Sequence, residues 1–179
     1  MDINIVKKLK HISLNMFKKI LFSLTAVAIV ISIYLIFFVA PVPVDPMDAG
    51  GDPINFKIFY FHVPIAVTAY LAFAVVFVSG IMNLRTKRET WDTRAVAASE
   101  IGVILVPLSF LSIRLWNRAT VHPVVIGPGG GGISGDTVIG TVLVNIITFI
   151  LLLVSLVILR MENEKLADEI VSIKRTKNL

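Results

Sequence analysis

The chain contains three histidines, and two of them stand beside prolines at the ends of apolar blocks: Phe59-Tyr60-Phe61-His62-Val63-Pro64 and Ala119-Thr120-Val121-His122-Pro123. Imidazole is costly in a bilayer, so two at matching depth on one side need a reason. One reading makes His62 and His122 axial ligands of haem iron, a neutral ring from each side. The other makes each a helix-end residue that hydrogen-bonds locally. The haem reading sets further demands that nearby residues meet. The macrocycle needs an apolar slot, for which Phe59, Tyr60, Phe61 and Trp116 are candidates. Its propionates need cations at the polar boundary, for which Arg114 and Arg118 are placed, with Lys57 in reserve. The plainer counterparts are interface anchoring by Tyr60 and Trp116 and headgroup contacts by the two arginines. The third histidine, His11, lies among lysines and reads as a surface residue.

Other chemistries find little support. Cysteine is absent, which removes disulfides, thiolate ligation, iron–sulfur clusters and covalent haem attachment through this chain. The run Gly127-Pro128-Gly129-Gly130-Gly131-Gly132 lacks the Lys-Ser/Thr of a phosphate-binding loop. The net charge of +5 is confined to three clusters with no aromatic interleaving, so it signals membrane topology and not nucleic-acid binding. Two polar residues fall inside apolar blocks. Glu100 is of a type that serves proton relays, but near one end of its block it is expected to reach water or pair with Arg94; Asn145 is expected to hydrogen-bond between helices.

These residues are carried by elements that composition makes plain. Of 179 residues 56% are hydrophobic, and mean hydropathy is +0.85, with the apolar residues in long blocks. That describes an all-α, polytopic membrane protein. A hydrocarbon core takes about 20 helical residues, and four blocks suffice: residues 20–40, 59–82, 95–115 and 137–159. Pro41, Pro43 and Pro46 end the first. That block lacks an Ala-x-Ala cleavage site and is expected to be a retained helix. Pro64 sits in the opening turns of the second and Pro107 in the middle of the third, where a kink is expected. Residues 1–19 form a basic leader, 85–94 a charged connection, and 160–179 a charged tail. In that tail Leu166, Ile170 and Ile173 recur at helical spacing, as in a short amphipathic helix on the membrane surface or against a partner.

The basic residues set orientation. Lys7, Lys8, Lys10, Lys18 and Lys19 precede the first span; Arg85, Lys87, Arg88 and Arg94 follow the second; Arg160, Lys165, Lys174, Arg175 and Lys177 follow the fourth. With four spans all three groups share one side, opposed only by Lys57, Arg114 and Arg118. The positive-inside rule puts both termini in the cytoplasm and both proline-flanked histidines at the outer face of the membrane.

The same residues resemble the haem-handling (haem exporter) protein C family of the cytochrome c maturation system. Phe59-Tyr60-Phe61-His62-Val63-Pro64 is similar to that family's hxFxHVP segment. Trp91-Asp92 and Ala97-Ala98-Ser99-Glu100-Ile101-Gly102 resemble its entry into the third span. Ser112-Ile113-Arg114-Leu115-Trp116-Asn117 with the nearby His122 resembles its SVxWWNTLHQ stretch, although Ala119-Thr120-Val121-His122-Pro123 replaces the usual Thr-Leu-His-Gln. The resemblance implies that His62 and His122 are axial ligands of haem b, carried transiently and not used in catalysis. It implies delivery to a haem chaperone, with release driven by an ABC transporter, and no bond-making step on this chain. Family members usually have six spans and a tryptophan-rich outer loop. This chain has four spans and its only tryptophans are Trp91 and Trp116, as if the family's third span were joined to the end of its fifth. Two alternatives remain at this stage: a structural subunit of the maturation complex that has lost haem binding, and a small permease subunit.

Overall fold

The computed structural model describes residues 3–42, 57–116 and 135–177, all helices and their immediate flanks. Helix α1 is Ile3–Tyr34 and runs on through a π turn, Leu35–Val39; α2 is Phe59–Thr86, α3 is Glu89–Trp116 and α4 is Asp136–Lys177. No strand occurs among the described residues. All four helices are long and apolar enough to cross a membrane. Their outer surfaces carry Phe38, Tyr70, Phe77 and Phe110, all exposed, a surface that only a lipid environment leaves unpenalised.

The helix ends follow from local chemistry. Proline disfavours helical geometry in the residue before it, and Ala40, preceding Pro41, is extended at φ −67° and ψ 131°. Its N–H closes the π turn onto the Leu35 carbonyl at 2.7 Å. Helix α2 stops at Lys87, which takes the left-handed conformation (φ 53°) and caps the Asn83 carbonyl at 2.8 Å. Gly135, at φ +113°, turns the chain into α4, and its carbonyl accepts from Val138 and Ile139. That φ is open to glycine and strained for other residues.

Helix α4 packs on each of the other three, and α2 with α3 forms the most extensive pair. The α2–α3 pair is antiparallel, built on small residues: Ala69, Ala72, Ala97 and Ala98 are buried. Gly102 lies so close to α2 that a Cβ there would stand 3.4 Å from that of Ala72. Close approach of small residues is how apolar helices gain contact in lipid, where the solvent offers no hydrophobic drive to associate.

The α1–α4 pair is also antiparallel, and its seam is polar. Lys18 pairs with Glu162, Thr25 Oγ1 meets Ser155 Oγ at 3.0 Å, and Ser32 Oγ meets Thr148 Oγ1 at 2.8 Å. These contacts recur every seven residues along both helices, in opposite directions, the spacing of a left-handed supercoil. Thr25 donates to the Leu21 carbonyl and Thr148 to the Val144 carbonyl, each at 2.8 Å. Ser155 and Ser32 therefore donate across the seam. Thr25→Val keeps the shape but leaves Ser155 without its acceptor. A loss of about 0.6–1.7 kcal/mol is expected, the range of such bonds in membrane bundles, read as a lower unfolding midpoint in detergent.

Several elements differ from the sequence expectation. The charged connection shrinks to Lys87 and Arg88, because α2 and α3 extend to Thr86 and from Glu89. The basic leader is helical from Ile3, continuous with the first span. The charged tail is not a separate surface helix but the unbroken end of the 42-residue α4. No proline or glycine occurs between Thr141 and Lys177, so nothing breaks it. Both termini emerge at one end of the bundle, since α1 and α4 are antiparallel.

Candidate functional site

His62 lies in the first turn of α2, at the end of the bundle away from the termini, and faces α3. Its backbone N–H donates to the Ile58 carbonyl at 2.8 Å. Its ring Nδ1 lies 3.0 Å from the Ser109 carbonyl oxygen and 3.3 Å from both Ser109 Oγ and Ser112 Oγ. A carbonyl can only accept, so Nδ1 carries the proton and donates. Ser112 Oγ donates to the same carbonyl at 2.7 Å. In the neutral ring the lone pair is thereby assigned to Nε2. An Nδ1–H to backbone carbonyl bond is the usual way a protein fixes the tautomer of a ligating histidine. His62 is half-buried.

The remaining aromatic residues of this segment mostly hold the helices together. Phe59 is 7% exposed and Tyr60 fully buried; with Ile36, Ala40 and Val138 they form a core cluster, flanked by Phe61, Val63 and Val142. Phe59 thus packs toward α1 and α4 while His62, one turn on, meets α3. The Tyr60 hydroxyl donates to the Pro41 carbonyl at 2.8 Å, and Lys57 Nζ donates to the Phe37 carbonyl at 3.1 Å. These contacts tie the start of α2 to the end of α1 beneath His62. Phe61 is half-buried, its ring centroid 6.1 Å from that of Phe37. It is the residue of this segment best placed to offer an apolar wall.

Arg114 and Trp116 lie in the last turns of α3, just beyond Ser112. His122 and Arg118 lie outside the described residues. The contact of His62 with Ser109 and Ser112 brings it to the end of α3 from which the segment carrying His122 departs. Among the described residues no three His, Cys, Asp or Glu side chains converge as a metal site. Ser109 and Ser112 were not singled out as partners of His62. Their signal is a polar pair at i and i+3 near the end of an apolar helix, at the depth of the histidine.

Asn145 departs from expectation, and Glu100 does so in its partner. Glu100 pairs with Arg160 of α4, which reaches it through Nε and Nη2, the latter at 2.9 Å, and also pairs with Glu164. Arg94 instead lies over the Trp91 ring, 4.6 Å from its centroid. Glu100 is therefore a structural anchor between α3 and α4 at the termini end. Among the described residues Asn145 makes no interhelical bond: it is fully buried, its amide donates to the Thr141 carbonyl of its own helix at 2.8 Å, and its Oδ1 meets no partner there. A buried acceptor without a partner costs about 1–3 kcal/mol. Asn145→Leu is accordingly expected to raise the thermal midpoint of the detergent-solubilised protein; a fall would assign Asn145 a partner.

Comparison of the chain with protein-family models, with curated proteins and with solved structures gives no match.

Proposed function

We propose that the protein binds haem b at the outer face of a prokaryotic inner membrane and delivers it for cytochrome c maturation, in the manner of the haem-handling protein C family. The observation that carries this reading is the His62 hydrogen bond to the Ser109 carbonyl, which assigns the lone pair to Nε2 as iron ligation requires. The resemblance of the His62 and His122 segments supplies the second ligand. Haem here is cargo, and this chain's part is to bind, orient and shield it. His62 would hold the iron on one side and His122 on the other, with Phe61 and Trp116 as walls. Arg114 and Arg118 would meet the propionates. A haem chaperone and an ABC transporter would complete the system, and membrane lipid forms the outer surroundings.

A second reading has its own observation. The same Nδ1 bond joins α2 to α3, and a histidine that merely ties two helices together would look alike. In that case the chain is a structural subunit. A permease role is less well supported, since the buried hydroxyls of Thr25, Ser32, Thr148 and Ser155 are bonded to one another or to their own helices and line a seam between α1 and α4.

The deciding experiment is titration of the purified protein with hemin in mild detergent, followed by absorption spectroscopy. Saturable binding with a low-spin, bis-imidazole Soret spectrum supports haem delivery. The absence of a stoichiometric spectrum favours the structural subunit.

A further inference from the structure

The face of α4 that packs into the bundle does not end with the bundle. Val138, Thr141, Asn145, Thr148 and Ser155 are buried along that face. Eighteen residues is a whole number of helical turns at 3.6 residues each, and the same face recurs as Leu156, Leu159, Asn163, Leu166, Ile170 and Ile173. There it is uncovered: Leu166, Ile170 and Ile173 are 56%, 53% and 54% exposed. Helix α4 continues unbroken to Lys177 with no proline or glycine after Gly140, so nothing turns this stripe aside from the axis of the span.

Helix α1 does not cover the stripe. Continuing the seven-residue register of the Lys18–Glu162, Thr25–Ser155 and Ser32–Thr148 contacts would set Leu14, Lys10 and Lys7 opposite Leu166, Ile170 and Ile173. Leu14 is itself 55% exposed, so the first of these pairings is not formed, and lysines occupy the other two positions.

We propose that the stripe is covered by α4 of a second copy, as a parallel two-stranded coiled coil extending from the termini end of the bundle. The heptad pattern and the charges of the stem favour that partner. With Leu156, Asn163, Ile170 and Lys177 as a positions, the d positions are Leu159, Leu166 and Ile173. Ile170 at a, Leu159 and Leu166 at d, and Asn163 as the polar a residue inside the stem favour a parallel dimer and fix its register. Glu169 then falls at g and Lys174 at the e position that a g residue meets on the other strand, so two opposite-charge pairs form by symmetry. Two copies inserted in the same sense in one membrane present their stems parallel without further constraint. The inference is independent of the haem reading.

The chain has no cysteine, so single cysteines report pairing without background. The full chain, reconstituted in phosphatidylcholine vesicles at low protein density, would carry Ile173→Cys or Leu166→Cys at d, or Asp168→Cys on the outer f position, under mild oxidation. Equivalent d residues of a parallel pair lie within disulfide reach. Disulfide dimer is expected to form several-fold faster at Cys-substituted 173 and 166 than at 168. Equal rates at all positions, or no dimer at any, would overturn the proposal. In the Ile173→Cys background, Glu169→Lys is expected to slow the reaction by setting lysines against one another, and adding Lys174→Glu to restore it. Indifference to both exchanges would also overturn it.

Discussion

His62→Ala is expected to abolish the bis-imidazole Soret spectrum and to lower hemin affinity by more than the ~10–100-fold that outer-shell changes cost a metal site. The ring is fixed through Nδ1 by the Ser109 carbonyl at 3.0 Å, and alanine removes both the ligand and its orientation. The platform below remains, because Phe59 and Tyr60 pack with Ile36, Ala40 and Val138 independently of the imidazole. The variant should therefore insert and purify normally. Free imidazole added to it is expected to restore a low-spin spectrum, since it can enter the vacated position. A histidine serving only as a helix tie would give a different result: His62→Ala would lower the unfolding midpoint and leave hemin binding as in the parent chain. His122→Ala is expected to show the same spectral loss as His62→Ala if the resemblance holds for both residues.

Gly102→Leu is the second change expected to have a large effect. A Cβ at this position would sit 3.4 Å from Ala72 Cβ and 3.5 Å from the Phe73 ring, which is ordinary contact. Gly102→Ala should accordingly be tolerated and even gain helix propensity. The further branched carbons of leucine have nowhere to go between α2 and α3 unless the helices part. Overpacking of this kind costs about 1–3 kcal/mol. The consequence extends to the site: Gly102 and Ser112 lie on the same helix, and parting α3 from α2 lengthens the bond from His62 to the Ser109 carbonyl. Thermal unfolding in detergent, with the hemin spectrum recorded on the same samples, checks both effects. An unchanged midpoint in Gly102→Leu would show that the close approach of α2 and α3 contributes little to stability.

Most of what locates the candidate site along the chain is legible in the sequence alone. Hydropathy blocks and prolines are local properties, and they delimited four membrane-crossing helices with His62 at the opening of the second. The clustering of lysine and arginine put both termini at one end, as the antiparallel α1 and α4 do. Helix limits are less legible, because Glu89 and Glu162 are good helix formers and Asp92 suits a first turn, so these charges end a hydropathy block without ending a helix.

The amino-acid sequence by itself determined the helices, their number, the shared end of the termini and the histidine that opens α2. Only the tertiary structure decided which residues meet. It set His62 against Ser109 and Ser112, gave Glu100 to Arg160 in place of Arg94, left the Asn145 oxygen without a partner among the described residues, and turned Phe59 into the core beside Ile36 and Val138. The reason is physical. A hydrophobic block encodes its own tendency to span, but every face of such a helix is nearly equally apolar. The choice of neighbour and register then falls to a few small and hydroxylated residues, Ala72 and Gly102 between α2 and α3, Thr25 and Ser155 between α1 and α4. Their meaning appears only when two distant stretches of chain lie side by side.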